Sequence, residues 1–208
     1  MLTQFFTIGL LMLFSSMLPG PDFALVTKNT LLHSRRAGLW TSLGVGIAIL
    51  VHITYCMLGL ALVISQSILL FNIIKYIGAA YLIYLGVMSL LAKQPTKTTT
   101  ATVEKTKSIL SDFAAFRQGL LCNLLNPKAT LFFLALFTVI IKPGTPISWE
   151  VVYAVEMFII ITAWFVGLTF LLSHPKVVAL LNDVEKYISK VVGMFLIGFG
   201  TALAFIKH

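Results

Sequence analysis

Charge is what this sequence has least of. Its 208 residues include 15 Lys and Arg but only 7 Asp and Glu, so charged residues make up 11% of the chain. A soluble domain wets its surface with about 25% charged residues. Hydrophobic residues reach 59%, and mean hydropathy is +0.99. One domain of this length could bury a good core, but it could not hide this much apolar surface. A soluble enzyme and a disordered chain are thereby excluded. Cysteine is scarce as well: Cys56 and Cys122 are the only two. They form no metal spacing and cannot staple a secreted scaffold. Metalloprotease, phosphate-loop and serine-elbow motifs are missing too. The chain therefore reads as no enzyme, with no cofactor and no metal. What remains is an all-α integral membrane protein.

The uncharged runs locate the spans. A spanning helix needs about 20 largely apolar residues. No charged residue precedes Asp22, and Ala37–Ile74 contains no Asp, Glu, Lys or Arg. Together with the later runs these give six expected helices, near 4–27, 39–65, 69–92, 115–141, 149–173 and 187–206. The runs lack the alternation of barrel strands. A signal peptide needs a basic start; Met1-Leu2-Thr3-Gln4 has none, so the first run reads as a permanent helix.

Lys and Arg set the orientation, because basic residues stay on the cytoplasmic side. Lys28, Arg35, Arg36, Lys93, Lys97, Lys105, Lys107, Arg117, Lys176, Lys186 and Lys190 fall on one side. Lys75, Lys142 and Lys207 fall on the other. Both termini are then expected outside. The net charge of +8 is a topology signal and calls for no nucleic acid. A Thr- and Lys-rich stretch at 93–112 reads as a cytoplasmic linker. It divides the chain into 1–92 and 113–208, three helices each.

Those halves repeat. A shift of 108 residues sets Ile53-Thr54 on Ile161-Thr162, Gly59-Leu60 on Gly167-Leu168 and Ser65 on Ser173. The same shift sets Pro19 on Pro127, and a shift of 115 sets Gly78 on Gly193. Three helices per half is an odd number, so the halves enter the membrane in opposite directions. Such inverted repeats build many secondary transporters, with the site where matching helices are broken.

Both first helices carry a breaker. Pro19-Gly20-Pro21-Asp22 interrupts the first, and Asn126-Pro127-Lys128 the fourth. Proline removes a backbone donor and clashes one turn back. Backbone groups freed inside a membrane must face protein, water or a ligand. The start of each second half-helix also offers unpaired N–H groups that favour a carboxylate. Each break lies roughly 13 Å from the cytoplasmic end, near the middle of a ~30 Å core.

The segments MLPGPDFALV, RRAGLWTSLGVGIA and FRQGLLCNLLNPKATLFF resemble the lysine-exporter (LysE) family, in its homoserine/threonine-exporter (RhtB) branch. The likeness covers essentially the whole chain. It implies export of amino acids or small derivatives from the bacterial cytoplasm, driven by the proton gradient.

Ionisable groups inside the membrane cost about 2.5–3.5 kcal/mol each on insertion scales, so each requires a partner or a use. Lys128 reads as a counter-charge to a substrate carboxylate, or as a structural partner of Asp22. Asp22 reads as a ligand for the substrate ammonium, as a proton carrier, or as a helix cap. Asn123 and Asn126, on nearly one face, either bind the substrate amine or hold the break together. Pro19, Gly20, Pro21, Asp22, Asn123, Asn126, Pro127 and Lys128 thus form the expected substrate site. His52 and Glu156, one turn apart across the repeat, are expected to join Asp22 in proton coupling beside the cavity. The alternatives are a packing histidine and a water-facing carboxylate. Gly38, Ser42 and Gly46 form a small-residue stripe for close helix packing, within the chain or between copies.

The expected function is a secondary transporter that exports amino acids, of the homoserine, threonine or other neutral type, by proton antiport with alternating access. A passive pore of the same architecture is the alternative, and an intramembrane redox or enzymatic protein is a third. The expected partners are the amino acid, protons, membrane lipid and a second copy of the chain, in the bacterial inner membrane.

Overall fold

The computed structural model describes residues 1–66, 68–91, 110–140, 145–173 and 175–205. All regular structure among them is helical. In chain order the helices are α1 (Leu2–Met17), α2 (Pro21–Lys28), α3 (Arg35–Gln66), α4 (Ile68–Leu91), α5 (Asp112–Leu124), α6 (Pro127–Ile140), α7 (Ile147–Leu172) and α8 (Pro175–Phe205). A π-helical turn, Asn29–His33, prolongs α2. Most of the expected linker at 93–112 lies outside the described residues.

Three of these helices are long and apolar enough to cross a membrane by themselves: Arg35–Gly59 within α3, Asn72–Leu91 within α4, and α7. Two more spans arise if each broken pair counts as one. α1 and α2 meet at 60°, and α5 and α6 at 57°. The last helix differs from expectation. α8 runs unbroken from Pro175, well before the expected start near 187, and its apolar part is the shorter Lys190–Ala202. The reason is local: Pro175 sits at the first helical position, where proline is favoured. The charged turns that follow are good helix formers, although they end the hydrophobic run.

α3 is the centre of the packing. It lies along α5 on one side and α7 on another, while α4 lies along α8 and α1 along α7. The α3–α5 approach is close because glycine lies on both sides of it. A Cβ on Gly44 would overlap the carbonyl of Phe116, and one on Gly119 would overlap that of Thr41. The small-residue stripe packs inside the chain, against α7. Ser42 Oγ lies 3.3 Å from Thr169 Oγ1, and Gly38 and Gly46 face Thr169 and Thr162. Near the basic end, Asn29 Nδ2 donates to Thr41 Oγ1 at 2.9 Å and to Gln118 Oε1 at 3.0 Å. That buried amide ties α2 to both α3 and α5. The apolar core, with Ile8, Leu11, Met12, Ile49, Phe133, Leu136 and Met157 fully buried, sits between α1, α3, α6 and α7. The two breaks border it.

Candidate functional site

Each break has a local cause. α1 ends at Met17, and Leu18 turns extended (φ −66°, ψ 130°), as a residue before proline prefers. Gly20 is extended as well, and Pro21 opens α2 at its first position. In the second pair, α5 ends at Leu124 and Pro127 opens α6 in the same way. Asn126 caps that start: its Oδ1 accepts from Lys128 N at 3.0 Å, which satisfies one of the orphan donors of the helix.

The structure corrects one expectation for Asp22. The cap of α2 is Gly20, with no side-chain capping bond, and Asp22 lies in the first turn. Its carboxylate instead reaches across to the other half of the chain. Asn123 Nδ2 and Asn126 Nδ2 both donate to Asp22 Oδ2, each at 3.0 Å. Lys128 is not the partner of Asp22 in an ion pair. Its Nζ donates to the carbonyl of Leu18 at 3.4 Å, a carbonyl freed by the first break. An ion pair does form elsewhere, between Arg36 and Asp112 on the helix starts of α3 and α5. Asn123, in the last turn of α5, and Asn126, at the break after it, both reach Asp22 from the side that faces α2, so two amides satisfy one carboxylate oxygen.

Between the breaks lies a cavity with a volume of about 40 Å³, room for about three waters. Gly20, Asp22, Asn123, Asn126 and Lys128 line it; Pro19, Pro21 and Pro127 do not. The prolines are exposed and shape the site from outside. Met12, Phe23, Ile49, Phe132, Phe133, Ile161 and Phe165 form an apolar wall, and Ser15 and Ser16 add hydroxyls. Three polar groups have capacity to spare. Asp22 Oδ1 and Asn123 Oδ1 are buried without hydrogen-bond partners, and Lys128 Nζ makes only its long bond to Leu18. Gly20 leaves room for that ammonium, since a Cβ there would lie 3.2 Å from Nζ.

His52 stands behind the cavity. It is fully buried, and its ring stacks on Phe133 with centroids 5.2 Å apart. Nε2 lies 3.2 Å from the carbonyl of Asn123. A carbonyl only accepts, so Nε2 carries the proton and Nδ1 accepts from the Tyr55 hydroxyl. Glu156 is elsewhere, between α1 and α7, and does not line the cavity. The expected pairing of His52 with Glu156 beside the cavity is therefore not seen: His52 faces Asn123, whereas Glu156 faces Gly9. Cys56 is buried and Cys122 half-buried, both free.

Sequence reasoning missed the wall and Ser15. One signal was available for Ser15, since the 108-residue shift that aligns the halves places it on Asn123. The same shift places Gly20 on Lys128, and these two residues meet in the site.

Apolar helices, two pairs of them bent at a break beside a charged cavity, are the architecture of a multi-pass membrane protein suited to transport. The family model of LysE type translocators matches residues 13–206, and the chain belongs to that family. The threonine efflux protein of Escherichia coli (strain K12) is 31% identical over 98% of both chains. The leucine efflux protein of Salmonella choleraesuis (strain SC-B67) is 32% identical over 92% of this chain and 90% of its own. An uncharacterized membrane protein of Bacillus subtilis (strain 168), YrhP, is 32% identical over 88% of this chain and 90% of its own. No solved structure matches.

Proposed function

We propose that the protein exports neutral amino acids from the bacterial cytoplasm across the inner membrane. One observation carries this reading. Two unpartnered acceptors, Asp22 Oδ1 and Asn123 Oδ1, and one under-used cation, Lys128 Nζ, border a single cavity. They complement the ammonium and the carboxylate of an amino acid. Relatives named for threonine and leucine efflux support the substrate class. The cavity contains no second carboxylate to receive a basic side chain.

In this reading the chain has six spans as an inverted repeat, 1–92 and 113–208, joined by a cytoplasmic linker at 93–112, with both termini outside. Bends of 60° and 57° at breaks that coincide under the repeat shift support it. Transport proceeds by alternating access and proton antiport. The cavity is too small for an amino acid in this conformation, so each break must open to one side in turn. Asp22 is the coupling group at the cavity. Substrate ammonium and proton compete for its free oxygen, while His52 holds Asn123 in register from behind. Radiolabelled efflux tests the proposal in cells loaded with a panel of amino acids, with wild type beside Asp22→Asn and Lys128→Met. Wild type should export at least one neutral amino acid, and both variants should lose that export. Equal efflux in all three removes the site. A protonophore separates an exporter from a pore, because only the exporter loses concentrative efflux.

A further inference from the structure

We infer that Glu156 is a proton-binding site of its own, on the lateral seam between α1 and α7 and separate from the substrate cavity. Its side chain is 9% exposed. Oε1 rests against Gly9, where a Cβ would lie 2.7 Å away, so the missing side chain on α1 forms the niche that holds the carboxyl. Oε2 is buried and has no hydrogen-bond partner. Two open apolar grooves flank the group, one walled by Phe5, Val155 and Ile159, the other by Phe6, Leu10 and Leu13.

Nothing in this surrounding neutralises a carboxylate. α1 carries no ionisable side chain from Leu2 to Met17, and the Met1 ammonium at its start is about 12 Å along the helix from Gly9. On α7 the titratable neighbours are Tyr153 and Glu150, one and two turns toward the helix start. Neither is a cation. An ionised carboxyl buried without a counter-charge is strongly disfavoured, so the closed seam holds Glu156 as the neutral acid. The proton can leave only when α1 and α7 separate enough to admit water or a polar group. Toward the helix start the seam holds Tyr153, whose hydroxyl lies 3.2 Å from both Gln4 Oε1 and the carbonyl of Met1, and toward the other end the buried, unpartnered indole N–H of Trp164 borders the same groove as Glu156.

That movement reaches the substrate site through α1 itself. Gly9 lies less than one turn from Met12. Met12, Ser15 and Ser16 line the cavity, and α1 ends at the first break. A seam closed by a protonated Glu156 fixes the α1 wall of the cavity, and a seam opened by deprotonation frees it. Two groups then read the proton gradient: Asp22 by competition with substrate, and Glu156 by locking the helix that carries the cavity wall. The coupling part of this inference rests on the proposed exporter function; the chemical state of Glu156 does not.

The test therefore has two arms on the full-length protein in proteoliposomes. Dicyclohexylcarbodiimide enters apolar phases and takes up protonated carboxyls: the acid O–H adds across a C=N bond, and the acyl group then migrates to nitrogen to leave an N-acylurea. Mass spectrometry should find this adduct on Glu156, decreasing as pH rises and lost in Glu156→Gln. In the transport arm, Glu156→Gln should keep substrate counterflow but lose accumulation driven by a pH gradient. No adduct on Glu156 at any pH overturns the inference. So does a Glu156→Gln protein that keeps gradient-driven accumulation, or one that loses counterflow as well. If wild type moves no amino acid, the exporter reading fails by itself, and the adduct still decides whether Glu156 binds a proton in the seam.

Discussion

Replacing Asn126 by Ala should be the most damaging single change at the break. Its side chain performs two tasks at once. Oδ1 caps α6 by accepting from Lys128 N, and Nδ2 donates to Asp22 Oδ2, both at 3.0 Å. Removing a side-chain cap costs about 1 kcal/mol. Removing a donor from a buried carboxylate costs about 1.5–3 kcal/mol. The sum is about 2.5–4 kcal/mol, because Asn126 is 4% exposed and water cannot readily replace either bond. Asn123→Ala also removes a donor from Asp22 but no helix cap, so it should cost about 1 kcal/mol less than Asn126→Ala. Asn126→Ser should recover the cap and little else, since a Ser oxygen serves at that position but cannot donate as far as Asp22. The assay is thermal unfolding in detergent, followed with a maleimide dye that reacts once buried Cys56 is released. The expected order of stability is wild type, then Asn123→Ala and Asn126→Ser, then Asn126→Ala. Equal losses for the two Ala variants, or no recovery in Asn126→Ser, would refute a capping role for this side chain.

Three further outcomes follow from the same geometry. Gly44→Val or Gly119→Val should lower the yield of folded monodisperse protein, because the new side chain meets a backbone carbonyl of the facing helix; overpacking of this kind costs about 1–3 kcal/mol or more. Gly20→Ala should leave thermal unfolding nearly unchanged but slow efflux severalfold. The backbone at Gly20 is extended and any residue adopts it, so the added methyl acts only by displacing Lys128 Nζ from the cavity. Arg36→Gln breaks an exposed ion pair with Asp112, and exposed pairs stabilise little; unfolding should stay where it is, and a marked drop would refute that view of the pair.

The breaks were legible in the sequence because proline and glycine act through their own backbone. Pro19, Gly20, Pro21 and Pro127 interrupt a helix whatever surrounds them, and the interruptions fall where these residues stand. Asp22 and Lys128 were legible because charge is so scarce that two charges beside matched breaks stand out. Contact between them was not legible, since it depends on how α2 and α6 are rotated about their axes. The last turn of α5 and the break after it bring two amides, Asn123 and Asn126, to Asp22 in place of the expected ammonium. The same limit separates His52 from Glu156. The repeat sets them one turn apart along equivalent helices, yet α3 turns His52 toward Asn123 while α7 turns Glu156 toward Gly9. The small-residue pattern of the sequence marks glycine as a packing residue for whole helices. At Gly9 and Gly20 it has a narrower task, leaving space for one charged or protonated group on the opposite half: Glu156 in the first case and Lys128 in the second. A helix that moves over either group must carry its glycine with it. In the proposed mechanism the first broken helix is therefore the element through which a proton on the seam and a substrate in the cavity act on each other.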